Sequence, residues 1–150
     1  MHRISDLTAH TGYWLRMLSN AVSQDFAQKI SDQGVSVAEW VLLRSLYDTE
    51  GMAPSALAAR MGMTKGAITK LADKLLEKRL ILRSENPDDR RAQNLTLTMA
   101  GRQIVPVLAE LADQNDTEYF GHLSVEEQQS LDRILKALVA RQGLHGPPVD

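Results

Sequence analysis

The side chains best equipped for chemistry in this chain lie on one predicted helix and in the charged cluster that follows it. Thr64, Lys65, Gly66, Thr69, Lys70 and Lys74 fall on one side of segment 65–78, opposite Ala67, Ile68, Leu71 and Leu75 at helical spacing. Lysines supply point charges for phosphates, threonines supply a hydroxyl and a methyl for base edges, and a glycine lets another surface come close. Such a face suits a groove of duplex nucleic acid. Further on, the turn-forming stretch ENPDDRRAQN carries Asp88, Asp89, Arg90 and Arg91 between two predicted strands, Leu80–Ser84 and Leu95–Thr98. An isolated charge run is ordinarily a solvated surface. This one follows a basic helix directly, which makes it a candidate for a second contact in an adjacent minor groove.

Other chemistries find little support. The four histidines, at 2, 10, 122 and 145, make no pair at metal-ligand spacing, and there is no cysteine for a metal, redox or disulfide site. Gly62–Lys65 with Gly66 resembles a phosphate loop only superficially, because no Gly-Lys-Ser/Thr follows. Asp88 and Asp89 are adjacent on a turn beside two arginines, a poor arrangement for an acid/base pair. The expectation is no catalytic site, no metal and no cofactor. The longest bulky apolar run, Trp40–Leu43, is far too short for a membrane span, and the N-terminal stretch has no apolar signal core, so a cytoplasmic protein is expected.

The elements that must position the basic face are legible on either side of it. Ala53–Met61 reads as a short helix with Pro54 in its first turn, and Gly62 permits the left-handed turn that ends it. Thr64 then caps the second helix. Helix, turn, helix and hairpin together make a winged helix. Upstream, Ile4–Ser31 has apolar residues at three- and four-residue steps, a long amphipathic helix with a break expected near Gly12. Ser36 with Glu39 forms a capping box for the next helix, and Ser124 with Glu127 forms another for the last. Thr98 caps a helix to about Phe120 that Pro106 should kink, and the tail GLHGPPVD should fray.

Charge is distributed accordingly. The net charge is −2, yet residues 60–91 hold nine Lys/Arg against five Asp/Glu, while the remainder holds eight against fourteen. A basic patch at +4 on an acidic body at −6 can dock on a polyanion in one orientation.

The stretch GMTKGAITKLADKLLEKRLILRSENPDDRRAQNLTLTMAG resembles the recognition helix and wing of the MarR family of bacterial transcription regulators. Its most specific part is Asp-x-Arg, then Leu-Thr and a Gly three residues on, which falls on Asp89, Arg91, Leu97, Thr98 and Gly101. The resemblance implies that Arg91 enters the minor groove, that Asp89 steadies it, and that Arg90 meets a phosphate. Absence of cysteine excludes the family's peroxide-sensing branch. Arg79 stands where the family commonly has Gly, at about 1 kcal/mol for a left-handed residue, so the turn there is expected to be built differently. Ala53 replaces the usual Ser or Thr cap, a loss of about 1 kcal/mol.

The resemblance further implies a mainly α fold with a small β-hairpin wing. The winged-helix part spans about 36–100, dimerisation helices about 4–33 and 101–142, and a flexible tail 143–150. It implies a homodimer reading a near-palindromic DNA operator as a repressor. A small, often aromatic effector is implied too, with His10, Tyr13, Trp14, Arg16 and Trp40 as candidates; Trp and Tyr at helical spacing are more often core or dimer interface than pocket. The alternative is a dimeric helical interaction or ligand-binding module whose winged helix no longer reads DNA.

Overall fold

The computed structural model describes residues 3–86 and 88–150, with residues 89–92 described by their backbone alone. After a single 3-10 turn, Leu7–Ala9, the chain enters α1 (Thr11–Ser31), α2 (Val37–Tyr47), α3 (Pro54–Met61) and α4 (Lys65–Glu77). A hairpin of β1 (Ile81–Asn86) and β2 (Asp89–Leu97) follows, then α5 (Met99–Phe120) and α6 (Val125–Arg141). The break before α1 falls at His10, whose backbone is extended, rather than at Gly12, which is already helical. Among the described residues, no helix is long and apolar enough to cross a membrane.

Caps set most of these boundaries. Both capping boxes form, Ser36 with Glu39 and Ser124 with Glu127. Ala53 makes no side-chain cap at α3, as its missing oxygen requires. Four α-helices end in the paired backbone bonds of a Schellman turn with a left-handed residue: Gly34, Gly62 and Gly143 after α1, α3 and α6, and Arg79 after α4. The α4 turn was expected to differ for want of a glycine. Instead it keeps the same form: Arg79 sits at φ 59°, its N–H bonds the Leu76 carbonyl and that of Leu80 bonds Leu75. Thr98 helps hold it, donating its hydroxyl to the Arg79 carbonyl at 2.8 Å.

The antiparallel wing is longer than the alternation of apolar residues indicated. Pairing runs from Ile81↔Leu97 at a buried root to Glu85↔Gln93, then slips so that Asn86 faces Asp89. Backbone hydrogen bonding thus propagates through polar residues that carry no hydrophobic signal. Thr98 is the cap of α5, not a strand residue. The sheet gains a further short bridge where Met52 and Leu95 exchange both backbone hydrogen bonds.

The core packs α2, α3, α4 and the wing root under the C-terminal end of α1 and the first half of α5. Every buried core hydrophobic lies between Ile30 and Leu108, with Leu42, Leu43, Leu57, Ile68 and Leu75 fully enclosed. Gly101 is required at the start of α5, since a side chain there would drive its Cβ into the Leu80 carbonyl. Pro106 does not interrupt α5, an unbroken helix of 22 residues; it lies on the exposed side, away from the core. The tail does not leave the fold as expected: Val149 is half-buried against the core.

Candidate nucleic-acid interface

α4 presents two chemically distinct faces. Ile68, Leu71, Ala72 and Leu75 are buried, whereas Thr64, Lys65, Gly66, Thr69, Lys70 and Lys74 are all exposed. The Thr64 hydroxyl accepts the Ala67 N–H at 3.1 Å, so it still has a proton to donate outward. Thr69 donates to the Lys65 carbonyl at 2.9 Å, which leaves its oxygen free to accept and its methyl exposed. A Cβ at Gly66 would meet no protein atom within 4 Å; the protein's own packing makes no demand for glycine there. Lys65, Lys70 and Lys74 form no ion pair with another described residue. Asp73, one of two acids on this helix, is partnered by Arg83 of β1 at 3.4 Å. The face is therefore cationic, hydroxylated and free of steric cover.

The wing continues from this helix through the Arg79 turn. The side chains of Asp89, Arg90 and Arg91 lie outside the described residues; their backbones belong to β2, near the hairpin tip.

One contact that positions α4 escaped the sequence. Lys78, the C-cap at the foot of α4, places its Nζ 2.8 Å from both Glu39 carboxylate oxygens and 2.8 Å from the Gly34 carbonyl. Glu39 is only 3% exposed. Burial alone would raise its carboxyl pKa, but the hydrogen bond from Lys78, with those from Ser36, outweighs burial and holds it below the usual value of 4.5. The capping role of Glu39 was legible; its partner, 39 residues away, gave no local signal.

A cavity of about 390 Å³ opens between α1, α2, α5 and the C-terminal segment. Phe26, Trp40 and Val41 supply apolar walls and Ser23 and Asn115 supply polar ones. Asn115 is buried and engaged: it accepts from Lys29 at 2.9 Å and donates to the Val22 carbonyl at 3.1 Å. Of the five residues proposed for an aromatic acid, Trp40 alone lines this space. Tyr13 and Arg16 border a separate shallow groove on α1, and Trp14 donates to the Thr8 carbonyl at the protein's exposed end. His10 lies in that same N-terminal turn, its ring 3.3 Å from the Leu7 carbonyl. The structure does not bring these four together with Trp40. Among the described residues no group of three or more acidic or histidine side chains could hold a metal ion.

The terminal helices carry a second surface. Trp14 is 53% exposed and Leu138 51%, with Leu15, Met17, Leu18, Ile134, Leu135 and Val139 also open. α6 buries none of its residues within the chain.

These features have counterparts in known proteins. The profile of the MarR family matches residues 35–92, from the α1–α2 turn into the wing. A Thauera aromatica protein named for transcriptional regulation of the hcr operon is 30% identical over 133 residues, spanning 88% of this chain and 80% of that one. Among solved structures, Staphylococcus aureus MepR bound to DNA superposes with a TM-score of 0.77 at 24% identity, covering 88% of this chain and 98% of MepR. Bordetella bronchiseptica BpsR, whose DNA binding is regulated by 6-hydroxynicotinic acid, gives 0.76 at 24%, covering 91% and 97%.

Proposed function

The chain belongs to the MarR family of transcription regulators, and from that premise we propose that it acts in the cytoplasm as a homodimeric repressor of a near-palindromic operator. The observation that carries the reading is the outer face of α4, where Thr64, Lys65, Gly66, Thr69, Lys70 and Lys74 are all open to solvent. A helix of this shape fits the major groove. Its lysines neutralise phosphates, its threonines reach base edges, and Gly66 admits the backbone of the duplex. Asp89, Arg90 and Arg91 follow at the wing tip, where Arg91 would favour a narrow A·T-rich minor groove and Asp89 would hold it. MepR, of the same fold, is known bound to DNA.

Dimerisation would cover the apolar stripes on α1 and α6 and set two α4 helices on successive turns of one DNA face. The cavity beside Trp40 would take a small aromatic ligand, by analogy with the heteroaromatic acid that regulates BpsR. Trp40 and Phe26 offer the ring surfaces.

The test is binding to the duplex upstream of the protein's own gene, as a salt series against scrambled DNA. Saturable binding that prefers the upstream duplex and weakens steeply with salt is expected. Arg91→Ala should cost about 1–3 kcal/mol in operator affinity and leave the dimer intact. Equal, weak binding to any duplex, in a genome-wide selection as well, would refute the assignment.

A further inference from the structure

The segment after α6 does more than end the chain. Gly146, at φ 87°, lies against the turn of the helix-turn-helix: a Cβ on it would sit 3.5 Å from the Met61 carbonyl oxygen and 3.6 Å from the Gly62 Cα. Backbone therefore rests on backbone at the residue pair that leads into Thr64 and α4. Gly62 reciprocates, since its own Cβ direction points at the Gly146 Cα. Directly after it, Pro147 and Pro148 become a wall of the cavity that Trp40 and Phe26 line, with Asp150 beside them. Val149 is half-buried against the core and also borders the cleft containing Lys78 and Glu39.

From these contacts we infer that residues 144–150 form an intramolecular strap, closing one side of the Trp40 cavity and bracing the Met61–Gly62 turn in the same stroke. Two prolines in succession limit the conformations available to this segment, which lowers the entropy lost in laying it down. The strap walls the space that a ligand beside Trp40 would occupy, so a ligand entering from that side has to displace it. Ligand entry lifts the prolines, and Gly146, one residue earlier, leaves the turn. Loss of that brace loosens the lead-in to α4 and weakens its grip on a groove. The coupling to DNA rests on the regulator reading given above; the closure of the cavity does not.

The chain contains two tryptophans, Trp14 and Trp40, so Trp14→Phe leaves Trp40 as sole fluorescent reporter of the closed wall. In that background, acrylamide quenching would be compared for the full chain, for a chain ending at Gly143, and for the full-length Val149→Asp variant, which keeps the segment but disfavours its buried contact. Both altered proteins should show stronger quenching and red-shifted emission while retaining the melting cooperativity of the parent. Identical quenching in all three overturns the strap. Operator affinity, measured on the same proteins, should fall about fivefold in both, a typical coupling between sites. Raised quenching with operator affinity unchanged overturns the brace on the turn. A parent that binds no DNA would sink the regulator reading, while the quenching comparison would still decide whether the strap closes the cavity.

Discussion

The middle of the molecule and its two ends solve the burial problem in opposite ways. Between Ile30 and Leu108 the chain builds a core of its own, with Leu82, Met99 and Val107 left outside it, and α4 exposes a polar face opposite its buried one. α1 buries only Ile30 and α6 buries nothing, although both are amphipathic and well capped or well terminated. Local stability and tertiary burial are thus separated along the sequence. The reading head is complete as one copy; the terminal helices have apolar stripes that one copy leaves open. What is intrinsic to the head is the shape of the exposed face of α4. In the proposed dimer, the ends would set the number and spacing of such faces.

Substitutions can break this contrast. Leu43→Ala in the fully enclosed core should cost about 3 kcal/mol of unfolding free energy, read by denaturant titration, through lost burial and a residual cavity. Leu138→Asp, on the open stripe of α6, should weaken self-association by about 2 kcal/mol, roughly thirtyfold, in sedimentation equilibrium. The head would remain folded by circular dichroism. If Leu138→Asp leaves association unchanged, the stripe is merely solvated and the contrast collapses.

Smaller effects sharpen the contrast inside the head. Lys78→Met removes the partner of a buried carboxylate and should cost about 1–2 kcal/mol at neutral pH, tempered by the partial exposure of the lysine. The pH dependence follows from the lowered Glu39 pKa. Its contribution is fully present above the unfolded value near 4.5 and is lost as pH falls through the lower folded value. The gap between parent and Lys78→Met should therefore narrow on acidification, as melts at stepped pH would reveal. A constant gap would remove Glu39 from the account. Smallest is Arg79→Gly, which relieves a left-handed φ of 59° and should stabilise by about 1 kcal/mol in the same melts.

Arg79 also shows how legibility in the sequence had two layers. Caps and glycine turns depend on neighbouring residues, so Ser36, Thr64, Thr98 and Ser124 could be read directly, as could the inward and outward faces of α4. At Arg79 the residue type argued for a different turn, but the Leu75 and Leu76 carbonyls and the Thr98 hydroxyl held the left-handed form. Tertiary contacts decided what local propensity could not. The outer wing was underestimated for a related reason: Glu85 and Gln93 pair through backbone alone and leave no alternation to detect. The tail, rich in Gly and Pro, looked unstructured because Met61 and Gly62, on which Gly146 rests, are more than eighty residues earlier. The five candidate effector residues shared an aromatic or basic character but not a place in space, and chemistry without distance could not separate Trp40 from the other four.

The junction at Thr98 and Gly101 has a mechanical consequence. Thr98 holds the Arg79 carbonyl, Gly101 lets α5 press against Leu80, and the wing root pairs alongside, so reading helix, wing and α5 start from one welded corner. The other end of α5 is moored to α1 by Lys29 with Glu118 and by Tyr119 with Asp25. With 22 residues at 1.5 Å each, α5 is a lever arm of about 33 Å. A tilt of about 5° at its mooring swings the corner by about 3 Å, close to the rise of one base pair along DNA. In the proposed dimer, small adjustments where α1 and α5 meet would thus change the separation of the two α4 helices by about that step.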